Sequence, residues 1–89
     1  MMASSYEIRQ VAAKIKNIYG EIDRRRSKLY HDAKESSFFW KGSGSNAFSQ
    51  EYEKINNEIK ELLDVLEVLE RQLKTVAVII DEREALLNE

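Results

Sequence analysis

With 89 residues, a formal charge of −2 at pH 7, 34% charged and 43% hydrophobic residues, the chain is one small domain of a size that buries only about 60% of its unfolded surface. There is no cysteine for a disulfide or thiolate metal site, a lone histidine to ligate metal and no proline to break a long helix, so the staple left to so small a fold is a partner subunit. No run reaches the roughly 18 apolar residues of a membrane span, and residues 1–10 lack the apolar stretch of a cleaved signal peptide.

Ser4 and Ser5 stand just ahead of Glu7 and Ile8, so either serine is placed to cap the free amides of a first helical turn. From there Ile8, Ala12, Ile15, Tyr19, Ile22, Arg26, Leu29 and Ala33 recur in alternating steps of four and three, with Val11 and Ile18 widening the row. That spacing predicts a helix over about 5–39 with one apolar face. Continued by the same steps, the row passes Ser36 or Ser37 and ends on Trp40. Arg24, Arg25, Arg26 and Lys28 form a basic cluster, but neighbouring residues on a helix point apart and Glu21 and Asp23 lie close by. Phosphate tracking needs a single-sided basic surface, so the cluster reads as a solvated face. Tyr19 and Tyr30 read as packed rings with the hydroxyl at the edge, His31 as an exposed helix residue, and Gly20 either as a point of close backbone approach or as a residue tolerated on an outer face.

Phe38-Phe39-Trp40-Lys41-Gly42-Ser43-Gly44-Ser45-Asn46-Ala47-Phe48 interrupts the pattern and holds two of the three glycines. Gly42 can end the first helix, Ser43 or Ser45 can cap the next, and Gly44 loosens the backbone between them, which predicts a turn over about 40–45. So short a connection favours antiparallel neighbours.

After it Phe48, Tyr52, Ile55, Ile59, Leu62, Leu66, Leu69, Leu73, Val76 and Ile80 alternate steps of four and three, and Arg83 and Leu87 continue the spacing. This heptad row predicts a second helix over about 46–86. Leu63, Val65, Ala77, Ile79 and Leu86 flank it, so the apolar face is wider than one antiparallel neighbour covers, and a second pair of helices is the economical way to bury it. Together with Ile8, Ile15, Ile22 and Leu29, the row from Phe48 to Ile80 is the expected core of a bundle or dimer. Val68 and Val78 fall outside the widened face and read as scattered surface residues. Glu51, Glu53, Glu58, Glu61, Glu67 and Glu70 read as solvating charge, with Glu70 and Lys74 a helical ion pair. No Ser/His/Asp or Cys/His pattern stands out, and Gly42-Ser43-Gly44 lacks the strand and lysine of a phosphate loop, so neither an enzyme nor a cofactor is expected.

Trp40-x-Gly42, followed by small residues, Ala47 and Phe48, between two helical rows in a chain of this length, resembles the WXG-motif (ESAT-like) family of small helical hairpins exported by type VII (ESX) secretion systems of Gram-positive bacteria and mycobacteria. The resemblance implies an all-α antiparallel helix-turn-helix hairpin. It further implies pairing of two hairpins, either two copies or two related chains, into a four-helix bundle. Trp40 and Gly42 would shape a surface read by the secretion motor, with Ser43, Gly44 and Ser45 in the turn. Members of the family, or one of a pair, often carry Tyr-x-x-x-Asp/Glu beyond the second helix. Here Tyr52 is followed at that distance by Asn56, and Tyr19-Gly20-Glu21-Ile22-Asp23 fits the letters only inside the first helix. The signal is therefore expected from a partner, or is degenerate here.

The expected function is a non-enzymatic protein that dimerises and is recognised at the Trp-x-Gly turn. It is expected to be secreted by a signal-peptide-independent route, or cytoplasmic before export, without nucleic acid or stable membrane insertion. A secretion ATPase or a larger secreted protein is a further partner that this reading allows. One alternative is an accessory hairpin that binds the helical N-terminal domain of a larger secreted toxin. Others are a coiled-coil structural or regulatory module unrelated to secretion, and a nucleic-acid binder using Arg24 to Lys28.

Overall fold

The computed structural model describes residues 4–37 and 43–88. Two helices account for almost all of them: α1, Ser5–Ser37, and α2, Ser43–Leu87. Of the two candidate serines it is Ser4 that caps α1. Its hydroxyl accepts from the Glu7 amide at 3.1 Å, and its carbonyl accepts the first helical bond from Ile8 at 3.1 Å. A serine before the first turn with glutamate three places on is the sequence mark of a helix start, and Glu7 also places negative charge at the positive end of the helix dipole.

The start of α2 departs from the expected boundary. The turn was expected to include Ser43, Gly44 and Ser45, but these residues form the first turn of α2, three residues ahead of the expected start at 46. Serine and glycine are common in and around a helix's first turn, where amides have no intrahelical partner, so the letters that mark a turn also serve a helix start. Phe38, Phe39, Trp40, Lys41 and Gly42 lie outside the described residues.

The helices pack as two compact units. One contains the described residues up to Tyr19 and those from Val65 onward, and the other those from Gly20 to Asp64. In the first unit Arg9 meets Asp81 at 2.8 Å and Tyr19 meets Glu70 at 2.7 Å. In the second, Arg26 meets Asn56 at 3.0 Å and Tyr30 meets Glu53. In both, numbering rises on α1 as it falls on α2, so the helices of one chain form an antiparallel helix-turn-helix hairpin without strands among the described residues. Ala12 and Ala77 are wholly buried in the first unit, and Leu63 is buried in the second. A buried alanine on each helix of the first unit lets the two backbones approach more nearly there than leucine would allow.

Gly20 lies on an outer face of this chain. A Cβ built there meets nothing within 4 Å, and its backbone is helical. Gly20→Ala is therefore expected to stabilise by about 0.5–1 kcal/mol, because alanine loses less backbone freedom on folding. A thermal melt followed by circular dichroism should show the midpoint rise by a few degrees.

Candidate protein interaction surface

On α2, Tyr52, Ile59, Leu66, Leu73 and Ile80 recur every seven residues and are all half-buried. Two different rows can complete this spine into a heptad seam. One is Ser49, Asn56, Leu63, Glu70 and Ala77, and it is this row that faces α1: Asn56, Leu63, Glu70 and Ala77 are all buried. The other is Phe48, Ile55, Leu62, Leu69 and Val76, which are 36%, 49%, 52%, 40% and 43% exposed. The bulkier and more apolar row is the one left facing water.

The same displacement occurs on α1, where Val11, Ile18 and Leu29 are exposed while Ala12, Tyr19 and Tyr30 turn inward. Each exposed apolar residue immediately precedes an inward one, and consecutive residues on a helix lie about 100° apart. Since the helices are antiparallel, the same step back in sequence carries both sets to the same side of the pair. In the first unit that side presents Val11, Ile18, Leu69 and Val76, joined by Val65 and Ile79. In the second it presents Leu29, Phe48, Ile55 and Leu62. Of the residues expected in a bundle core, Ile8, Ile15, Ile22, Tyr52, Ile59, Leu66, Leu73 and Ile80 are half-buried, whereas Leu29, Phe48, Ile55, Leu62, Leu69 and Val76 are exposed in the single chain. Trp40 and Gly42 lie outside the described residues.

Between the helices the seam holds polar layers, which correct the reading of all the glutamates as outward solvating charge. Glu70 does form the expected ion pair with Lys74, at 3.0 Å, yet it is only 4% exposed, and its other oxygen accepts from the Tyr19 hydroxyl. That bond, followed by Lys74, holds the Glu70 carboxyl below the ordinary carboxylate range. The reciprocal effect, with desolvation and the Glu70 charge adding to it, pushes the Tyr19 hydroxyl up to about 12. In the second unit Arg26 turns inward instead of joining a basic face. One nitrogen donates to the Asn56 amide oxygen at 3.0 Å, and two others donate to Asp23 at 3.0 and 2.8 Å. Tyr30 donates to Glu53, whose other neighbour is Lys34 at 3.1 Å. These two bonds, with that from Tyr30 the larger, depress the Glu53 carboxyl. Arg25 and His31 stay outside, paired with Glu21 and Glu35 on their own helix. The inward placement of Asn56 and Glu70 escaped the sequence reading because each sits one place beyond an apolar residue of the more regular row. The available clue was that Asn56, Leu63, Glu70 and Ala77 keep the same spacing of seven.

Below its ordinary value of 10.0, the Tyr19 hydroxyl is protonated in both folded and unfolded chains, so its contribution to stability is complete there and is lost as pH rises from 10 to about 12. Glu70 works in the opposite range, with a contribution present above the ordinary carboxylate value of 4.5 and lost as pH falls through its lower folded value. Tyr19→Phe is expected to flatten the alkaline arm of a plot of melting temperature against pH. Tyr52, raised chiefly by burial, remains in both proteins, so the difference between the two curves isolates Tyr19.

Among the described residues, no group of three or more His, Cys, Asp or Glu is placed to hold a metal ion, and no helix is long and apolar enough to cross a membrane. A cavity of about 20 Å³ lies between Ala33, Lys34, Phe48, Ser49, Tyr52 and Glu53, room for about one water. What the surface offers a ligand is breadth: large aliphatic and aromatic side chains on one side of each helix pair, the composition of an association face.

The family WXG100, described as proteins of 100 residues with WXG, matches residues 1–84. The chain belongs to the WXG100 family. Two solved structures similar to this WXG100 chain are of the secreted protein EsxB from Bacillus anthracis strain Sterne. The wild-type form is 21% identical, with a TM-score of 0.84, over 90% of this chain and 86% of that one. A point mutant of EsxB is 20% identical with the same TM-score and coverage. At these identities the likeness establishes the fold. Comparison with curated proteins finds no match.

Proposed function

We propose that this WXG100 protein is a non-enzymatic component of a type VII secretion pathway. It is exported, or escorted to export, as a pair of hairpins. The observation that carries the reading is the row Phe48, Ile55, Leu62, Leu69 and Val76, large, apolar and exposed at every seventh position of α2. Covering such a row with a second hairpin, either a copy of this chain or a related one, gives a four-helix bundle. It also supplies the buried apolar surface that a chain of this size lacks alone. In that assembly Trp40 and Gly42 form the recognition element, and the route out is independent of a signal peptide. Membership of the WXG100 family, together with a fold shared with a protein described as secreted, supports the reading.

Two measurements on protein from the native host test it. Purification under mild conditions is expected to yield a pair of hairpins, and mass spectrometry to say whether both are the same chain; a folded lone monomer at low micromolar concentration would remove the pairing. Trp40→Arg is expected to leave helical content unchanged but to abolish appearance in the culture medium, as would loss of the secretion ATPase. Export unaffected by either change would defeat the assignment.

A further inference from the structure

α2 offers α1 two faces built on one spine, and hydrophobicity alone favours the wrong one. Docking α1 on the Phe48, Ile55, Leu62, Leu69 and Val76 side would bury more apolar surface than docking it on Ser49, Asn56, Leu63, Glu70 and Ala77. The structure nevertheless takes the second. The residues that α1 turns inward explain the choice. Arg26, with a side chain 14% exposed, finds Asn56 at 3.0 Å across the helices of the second unit. Tyr19 finds Glu70 at 2.7 Å in the first. Were α1 set against the apolar side, Arg26 and Tyr19 would face aliphatic side chains, and Asn56 and Glu70 would lose their cross-helix partners. A buried polar group left without a partner costs more than an extra methyl group returns.

We infer that Asn56 with Arg26, and Glu70 with Tyr19, are specificity determinants: they direct α1 onto one face of α2 and so reserve the other face for a second helical chain. Single polar residues in heptad seams fix pairing in this way, at a cost in stability. The use made of the reserved face rests on the proposed function; the choice of face by α1 does not.

The test erases both layers with Arg26→Leu, Asn56→Leu, Tyr19→Phe and Glu70→Leu. The natural sequence has no cysteine, so a nitroxide pair can be placed through Ala13→Cys and Val78→Cys. Both positions are exposed in the first unit and each follows an inward alanine, which puts them on the side away from the apolar row. Labelled protein diluted in unlabelled protein reports the distance within one chain. The parent sequence is expected to give one narrow distance. The erased variant is expected to give a second population, and several oligomeric species in sedimentation where the parent gives one. A single unchanged distance in the erased variant would overturn the inference. So would loss of helicity in both that variant and the simpler Arg26→Leu, Asn56→Leu pair, since the layers would then stabilise the hairpin without selecting its docking. Because the distance is measured within a chain, a parent that proved monomeric when purified alone would remove the pairing of two copies and still report on the choice of face.

Discussion

Leu62→Glu combined with Leu69→Glu is expected to yield a helical protein that no longer associates. In the single chain these side chains are 52% and 40% exposed, so a carboxylate at either position reaches water, and the cost to the hairpin should stay within about 0.5 kcal/mol per site. In a pair of hairpins both positions would lie against another helix, where an unpaired carboxylate forfeits its hydration for no compensating bond. Even a few kcal/mol across two sites weakens association by roughly 10²–10³-fold. Sedimentation equilibrium reads the association and circular dichroism the helicity. The informative control is Glu61→Gln, a nearby exposed change of charge that should leave association nearly intact. A double variant that still pairs at low micromolar concentration would place the interface elsewhere.

Ala77→Leu carries the largest expected effect on the fold itself. Ala12 and Ala77 are both 0% exposed, and the antiparallel count that pairs Arg9 with Asp81 and Tyr19 with Glu70 brings them to the same level. Three added carbons at Ala77 must displace α1 or adopt a strained rotamer, at a cost of about 1–3 kcal/mol. For a domain of this size that lowers the melting temperature by several degrees per kcal/mol. Val76→Leu, one residue earlier and 43% exposed in the single chain, enlarges a side chain that α1 does not cover and, measured at a dilution where the hairpin is unpaired, should change stability by less than about 0.5 kcal/mol. The contrast between adjacent positions measures which side of α2 faces α1. If the two variants melt alike, the close approach at the alanines is wrong.

The two helices and their antiparallel connection were legible from the spacing of apolar residues, and the start of α1 from Ser4 and Glu7, because both signals are local. The family was legible from Trp40 and Gly42 with the small residues, Ala47 and Phe48 after them. What periodicity did not reveal was which of two overlapping rows on α2 meets α1. Apolar spacing finds the most hydrophobic row, whereas the docking is set by pairs distant in sequence, Arg26 with Asn56 and Tyr19 with Glu70. Asn56 and Glu70 look like ordinary helix-surface residues until their partners are known, whereas Tyr19 and Arg26 already stood in the apolar row of α1. The same long-range bonding drew Glu70 and Glu53 inward and took Arg26 out of the basic cluster. The earlier start of α2 was hidden for the opposite reason, since serine and glycine serve turns and helix starts equally well.

With α1 described to Ser37 and α2 from Ser43, five residues of sequence lie between them. Even fully extended, such a link holds the two helix ends within about 20 Å. Each helix therefore experiences its own chain's other helix at an effective concentration on the order of millimolar. A helix from another molecule at micromolar levels competes poorly for the inner seam, so exchange of helices between chains is disfavoured. Assembly is then expected to proceed by docking of finished hairpins, with a rate first-order in each and no slow unfolding step.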